Sequence, residues 1–147
     1  MRESDVPARL ANLEVPTFAS IPWADGPPLK ERRLAIVSTA GLMQRGDRPF
    51  SFGATDYRII DAESDADLLM THISTNYDRS GFLQDVNVAF PLDRLQELAA
   101  RGEIGSVARY HYSFMGATDP ARMGDAARDL ARVLQGDAVD LALLIPV

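Results

Sequence analysis

Arg33-Leu34-Ala35-Ile36-Val37-Ser38-Thr39 decides the fold. Leu34 to Val37 is an unbroken apolar run, the signature of a strand buried on both faces, as in a parallel sheet. Thr39-Ala40-Gly41-Leu42 then carries the chain out of that sheet. Two later segments share this character: Val107–Ser113 reads as a second buried strand and Asp140–Val147 as the last one. Helices lie between them. Pro91–Arg101 has a proline suited to a first helical turn, an apolar stripe of Leu92, Leu95, Leu98 and Ala99, and Gly102 as its stop. Asp119-Pro120 supplies an N-cap and a proline at the first helical position. That helix is expected to reach about Leu134, with Met123, Ala127, Leu130 and Leu134 towards the core and Gly136 at its end.

Residues 43–90 are less regular. Gly46-Asp47 and Phe52-Gly53 are turn signals. Tyr57–Ile60 and Val86–Phe90 are expected as short strands. Asp65–His72 is expected as a helix, with Ser64 as N-cap and Asp65 and Asp67 in its first turn. Strands alternating with helices imply an α/β fold. The expectation is a single three-layer domain over residues 31–147 with a mainly parallel sheet, Rossmann-like or flavodoxin-like. Residues 1–30 carry Pro7, Pro16, Pro22, Pro27 and Pro28 and are expected to form an extended arm, with one short helix near Ala8–Leu13. Val15, Phe18, Ile21 and Trp23 would pin that arm to the body or to a second subunit.

The chain has 147 residues, 46% hydrophobic and 24% charged, which suits one globular domain with a substantial core. Its net charge is −6. The one dense basic run, Lys30-Glu31-Arg32-Arg33, abuts a hydrophobic strand, so no nucleic-acid partner is expected. No apolar run reaches membrane-spanning length and Met1–Asp5 lacks the apolar region of a signal peptide, so no membrane association is expected and the default location is cytoplasmic. The arginine- and alanine-rich composition correlates with GC-rich bacterial genomes, so such a source is expected. There is no cysteine, which removes disulfides, thiolate metal sites and a cysteine nucleophile from these residues. Gly102-Glu103-Ile104-Gly105 lacks the order of a dinucleotide fingerprint.

An ordered set of segments resembles the selenoprotein B family of glycine, sarcosine, betaine and D-proline reductases. The set begins with Leu34–Leu42, Gly46-Asp47-Arg48-Pro49-Phe50 and Asp56-Tyr57-Arg58. His72, Asp78, Asp85-Val86-Asn87 and Phe90-Pro91-Leu92-Asp93-Arg94-Leu95 follow. It closes with Ile104-Gly105, His111–Gly116 and the strand reaching Pro146-Val147. The resemblance covers roughly residues 22–147. It implies reductive cleavage at carbon, in which a selenolate attacks the α-carbon of the substrate and displaces its amine, and other thiols or selenols then reset the selenium. In the glycine and D-proline systems it also implies a pyruvoyl group on a partner subunit that activates the amine. Selenium suits this chemistry because a selenol is ionised at neutral pH, where a thiol with a pKa of about 8.5 is mostly protonated. In the family, a short motif with selenocysteine or cysteine follows the last strand at once. The expectation is therefore a selenocysteine or cysteine encoded directly after Val147; a UGA codon for selenocysteine there would be read as a stop, and the competing explanations are a naturally truncated paralogue and deliberate shortening of the chain.

Candidate site residues fall mainly at the C-terminal ends of the expected parallel strands, the usual ligand crevice of such sheets. Ser38, Thr39 and Gly41 offer hydroxyls and backbone N–H groups to a substrate carboxylate, against the plain alternative of a tight turn with locally satisfied hydroxyls. Ser113, Met115 and Gly116 read as a binding loop, with Gly116 allowing close backbone approach. Asp85 and Asn87 are added from their family-like segment. His72 and His111 are the candidate catalytic residues, as general acids that protonate a leaving amine. The alternatives are a helix-end histidine for His72 and a buried, hydrogen-bonded strand residue for His111. Asp78, Asp85 and Asn87 with the two histidines suit zinc, iron or manganese in type. They lack local ligand spacing, and no metal is assigned.

Three readings follow. The first is the B subunit of a selenol- or thiol-dependent reductase cleaving a C–N or other C–heteroatom bond of a small amino acid or related substrate. The second is a non-catalytic paralogue that binds a small acid or serves oligomerisation. The third is a metal-dependent lyase using His72 and His111. Without a nucleophile, acid–base help of roughly 10²–10⁴-fold is too little to break an unactivated C–N bond. A homodimer or higher homo-oligomer is expected.

Overall fold

In a computed structural model describing residues 11–12, 17, 19, 21, 23–74 and 78–147, the opening apolar run becomes β1 (Arg33–Ser38). Leu34, Ala35 and Ile36 are buried on it, as the pattern required. β1 lies at the centre of the main sheet. On one side it pairs in parallel with β7 (Leu141–Ile145), in a register running from Leu34↔Leu141 to Ser38↔Ile145. On the other side it pairs in parallel first with β5 (Ser106–Val107) and then with β6 (Tyr110–Ser113). The second strand expected at Val107–Ser113 is thus two pieces. Leu34 sits opposite Val107 while Val37 sits opposite Tyr112, so this side carries two more residues than β1 over the same length. β3 (Arg58–Asp61) closes the sheet antiparallel to β6.

The architecture is mixed α/β with a mostly parallel sheet and few helices. α1 (Ser80–Gln84), α2 (Leu92–Ala100) and α3 (Gly124–Gly136) are the α-helices among residues 23–74 and 78–147. α2 brings Leu92, Leu95 and Leu98 to the face of the sheet that carries Leu34, Ile36, Leu141 and Leu143. α3 packs Leu130 and Leu134 on the opposite face, against Val37, Tyr112 and Phe114. Ala126, not the expected Ala127, completes that packing; Ala127 is exposed. Gly102, at φ +71°, ends α2 as anticipated. Asp119 accepts the Ala121 N–H at 2.9 Å and starts a 3-10 turn, Pro120–Met123, that runs into α3.

Two expectations between residues 43 and 90 are overturned. Asp65–His72 is not a helix. Leu68–Met70 is a strand, β4, pairing antiparallel with β2 (Leu42–Gln44) in a small second sheet. The polar residues ahead of it form turns, with Ser64 Oγ accepting the Ala66 N–H at 3.1 Å. Val86–Phe90 is not a strand either. Val86–Val88 is a 3-10 turn because the Asp85 carboxylate accepts the Asn87 N–H at 2.9 Å and curls the chain.

The last strand is a correction of another kind. β7 is not buried on both faces: among the described residues it pairs with β1 alone and lies at the edge of the sheet, and Leu144 on it is 69% exposed. Most of the helix expected at Ala8–Leu13, together with Val15 and Phe18, lies outside the described residues. Ile21 and Trp23 are 86% and 74% exposed, so neither is pinned to the body of this chain. Among the described residues no helix is long and apolar enough to cross a membrane.

Candidate functional site at the strand ends

β1, β6 and β7 all finish at the same end of the sheet, where Ser38 is level with Ser113 on one side and with Ile145 on the other. The loop after β1 and the loop after β6 then run together. Gly41 donates its N–H to the Phe114 carbonyl at 3.0 Å, Gly116 donates to the Thr39 carbonyl at 2.8 Å, and Ala40 and Met115 form an antiparallel bridge. Ser38, Thr39, Gly41, Ser113, Met115 and Gly116 are thereby gathered into one cluster, as their expected positions at strand ends suggested.

Within that cluster, several groups are occupied internally. Ser38 is fully buried; its hydroxyl donates to the Ala89 carbonyl at 3.0 Å and accepts the Ala40 N–H at 3.2 Å. Ser113, also buried, accepts the Leu42 N–H at 2.8 Å. These two hydroxyls hold the turns, which for Ser38 is the plainer of the two roles considered. Gly41 lies at φ +65°, and a Cβ there would sit 3.0 Å from both the Cα and the backbone N of His72. Met115 is buried beneath, beside Phe50 and Ala54. Thr39 and Gly116 face the rim. The Thr39 hydroxyl accepts the Val147 N–H at 2.8 Å and reaches the Val147 carbonyl at 3.2 Å. A Cβ on Gly116 would fall 2.4 Å from that same carbonyl oxygen.

The remaining candidates are placed differently. His72 joins the cluster through its backbone. It is buried, its Nδ1 accepts the Ser74 N–H at 3.2 Å, and its own carbonyl accepts from Arg79. Desolvation, with the Arg79 charge second, lowers its pKa. His111 lies inside the sheet and is fully buried, edge-on to Phe90 with ring centres 5.4 Å apart. Its Nδ1 accepts the Ile36 N–H at 3.0 Å, and its Nε2 has no acceptor among the described residues. Desolvation, with Arg33 second, drives its pKa down to about 4. A neutral, sealed imidazole suits packing rather than delivery of a proton to a leaving amine.

Asp85 and Asn87 spend their side chains on each other, and Asn87 also donates to Asp93 at 3.0 Å. Asp78 caps the Ser80 N–H at 2.8 Å. Among the described residues, no group of three or more His, Cys, Asp or Glu side chains is placed to hold a metal. His72, His111, Asp78 and Asp85 therefore do not assemble into the set that the metal-dependent lyase reading needs.

Two buried polar residues near the cluster were not singled out from sequence. Thr118 donates to the Ala54 carbonyl at 2.8 Å and ties the loop after β6 to the loop before β3. Arg58 is buried, with its guanidinium 4.3 Å from the Phe50 ring centre, donating to the Arg48 carbonyl at 2.6 Å. Its signal was available in the Asp56-Tyr57-Arg58 segment. A 520 Å³ cleft lies at the opposite end of β1, lined by Arg33, Glu63, Ser106 and Arg109 among others. Its cations are already engaged, Arg33 with Asp137 and Arg109 with Asp61 and Glu63.

The fold is a mixed α/β domain with a mostly parallel sheet, and the loops after β1 and β6 come together at one end of it. A family model for glycine/sarcosine/betaine reductase selenoprotein B matches residues 9–146, and the chain belongs to that family. It is 29% identical over 120 residues to the D-proline reductase subunit gamma of Acetoanaerobium sticklandii, covering 79% of this chain and 49% of that protein. It is 28% identical over 141 residues to the glycine reductase complex component B subunit gamma of Carboxydothermus hydrogenoformans, covering 90% of this chain and 32% of that one. Against the sarcosine reductase complex component B subunit beta of Peptoclostridium acidaminophilum the identity is 32% over 110 residues, or 69% of this chain and 25% of the relative. The chain thus spans about half or less of the length of these relatives. No solved structure matches significantly.

Proposed function

We propose that this chain is the B-subunit-type component of a selenol- or thiol-dependent reductase that cleaves the C–N, or another C–heteroatom, bond of a small amino acid or related substrate. The family supports a reductase-related role, and the relatives are subunits of D-proline, glycine and sarcosine reductases. The observation that carries the reading is the position of Val147. It is bonded to Thr39 and pressed against Gly116 at the strand ends. A residue directly following it enters the crevice where a parallel sheet places its ligands.

In this reading the selenocysteine or cysteine is encoded immediately after Val147 and supplies the nucleophile. The chain's own residues shape the site around it. Ser38 and Ser113 brace the turns, Gly41 and Gly116 let neighbouring backbones close up, and Thr39 holds the strand end. His72 is the candidate proton carrier with a place in the cluster. Partner subunits, among them one bearing a pyruvoyl group, and a homodimer or higher homo-oligomer belong to the same proposal. A sedimentation series in which the chain stays monomeric at every concentration removes the homo-oligomer.

The test is the native gene sequence after the codon for Val147, together with the intact mass of the protein from its own host. In-frame UGA or a cysteine codon followed by further coding sequence, with a matching longer product, is the expected result. Ordinary termination and a mass equal to residues 1–147 would overturn the redox reading and leave binding of a small acid without turnover.

A further inference from the structure

We infer that Thr39 and Gly116 are positioning residues that set the path of the chain beyond Val147, an inference that rests on the function just proposed. Along β1, Thr39 makes the last regular bond to β7, donating its N–H to the Ile145 carbonyl at 3.0 Å. Continuing the parallel register, in which Ser38 lies opposite Ile145, would bring the Val147 N–H to the Thr39 carbonyl. That carbonyl is already taken by the Gly116 N–H at 2.8 Å. The Val147 N–H turns instead to the Thr39 hydroxyl, at 2.8 Å, and the same hydroxyl lies 3.2 Å from the Val147 carbonyl, to which it donates.

A side chain therefore replaces the backbone ladder at the last residue of the strand. The ladder ends because the loop after β6 has claimed the acceptor, and the hydroxyl redirects the strand end at the point where β1, β6 and β7 meet. Glycine at 116 is what allows the closeness. A Cβ there would lie 2.4 Å from the Val147 oxygen and 2.7 Å from the Thr39 oxygen, both backbone atoms with little freedom to yield. Pro146 fits the same design, since an edge strand spares the N–H that proline lacks. Thr39 holds the Val147 backbone at both its N–H and its oxygen, so it fixes where the strand delivers the next residue.

The experiment compares Thr39→Val, which keeps the shape and removes the hydroxyl, with Thr39→Ser, which keeps the hydroxyl. In the 147-residue chain, carboxypeptidase release of Val147 is timed while circular dichroism and thermal melting monitor the fold. Thr39→Val is expected to release Val147 at least about tenfold faster with the melting transition still cooperative, the order expected for losing the two hydrogen bonds of that hydroxyl. Thr39→Ser is expected to follow the unsubstituted protein. Equal release rates in all three, or equal acceleration in both variants, would overturn the clamp. In the native-length product, the pH profile of alkylation at the residue after Val147 is expected to shift in Thr39→Val and to be restored in Thr39→Ser. An unchanged profile would overturn the positioning role. A stop codon after Val147 would instead remove the proposed function and with it the positioning assignment, while the release rates would still decide the clamp.

Discussion

His111 Nδ1 accepts the backbone N–H of Ile36 at 3.0 Å, so a side chain completes a hydrogen-bond ladder that the backbone cannot. On this side of β1, the Leu34 carbonyl accepts from Ala108 at 2.8 Å and the Ser38 carbonyl accepts from Phe114 at 2.8 Å. Ile36 lies between them, opposite the extra residues separating β5 from β6, and its N–H is met by the imidazole. Because Nδ1 accepts, the proton of the neutral ring sits on Nε2.

Acid sensitivity follows from that bond. Burial holds the His111 pKa at about 4, against an ordinary value of 6.5. The unfolded chain then binds the proton more readily than the folded one between those two values. Stability contributed by the neutral imidazole is complete above pH 6.5 and is lost as pH falls towards 4, by about 3 kcal/mol in all. Urea denaturation at pH 7, 5.5 and 4.5 measures the loss. His111→Leu is expected to cost about 1–3 kcal/mol at pH 7 by stranding the Ile36 N–H, and to flatten this part of the pH profile. A profile as steep as that of the unsubstituted protein would assign the acid sensitivity elsewhere.

Gly41→Ala is expected to destabilise the chain by about 1–3 kcal/mol. Two causes add: φ at Gly41 is +65°, and the new methyl would press on the His72 backbone at 3.0 Å. The urea midpoint should fall with the slope unchanged. Gly102→Ala provides a comparison, since its φ of +71° is equally unfavourable but nothing lies within 4 Å of a Cβ there. The difference between the two variants reads the packing cost alone.

Arg48 and Arg58 both bond Asp56 Oδ2, at 2.8 and 2.9 Å, yet their contributions should differ. The Arg58 side chain is 9% exposed and its fork also serves backbone carbonyls, including those of Arg48 and Tyr57. Arg58→Lys is expected to cost about 2–3 kcal/mol, because a single ammonium cannot reproduce that fork or its stacking on Phe50. The Arg48 side chain is 80% exposed, and Arg48→Lys is expected to change stability by less than about 0.5 kcal/mol. Thermal melts of the two variants side by side decide the matter.

Gln44→Ala is expected to loosen the small sheet from the large one. The Gln44 amide donates to the Asp61 carbonyl and accepts the Asp61 N–H, both at 3.0 Å, and so joins β2 to β3 as a backbone neighbour would. Its loss is expected to cost about 1–2 kcal/mol. Faster hydrogen exchange at Asp61, with β1 amides unaffected, would mark the effect as local.

The sequence by itself determined the elements whose evidence is local. The apolar run of β1 needs burial on both faces whatever its neighbours are. Pro91, the leucine stripe and Gly102 delimit α2, and Asp119-Pro120 opens the turn into α3, because caps, stripes and stops act within a few residues of themselves. The clustering of Ser38, Thr39, Gly41, Ser113, Met115 and Gly116 was legible for a related reason: residues that follow parallel strands share one end of the sheet. Family membership was legible too, since it rests on the order of short segments along the chain.

Tertiary structure alone decided the rest, because those features depend on partners distant in sequence. Leu68–Met70 has an apolar triplet that suits a helix or a strand, and it became a strand because Leu42–Gln44 was there to pair with it. The unbroken apolar run of β7 says nothing of which neighbour is present, so its place at the edge of the described sheet could not be read from it. His111 was read from sequence either as a proton donor or as a buried, hydrogen-bonded strand residue; only the residues inserted between β5 and β6 made Ile36 its partner. Thr39 was read either as a ligand-facing hydroxyl or as a locally satisfied one; no local signal showed that it would bond Val147, 108 residues away, beside a Thr39 carbonyl that accepts from Gly116.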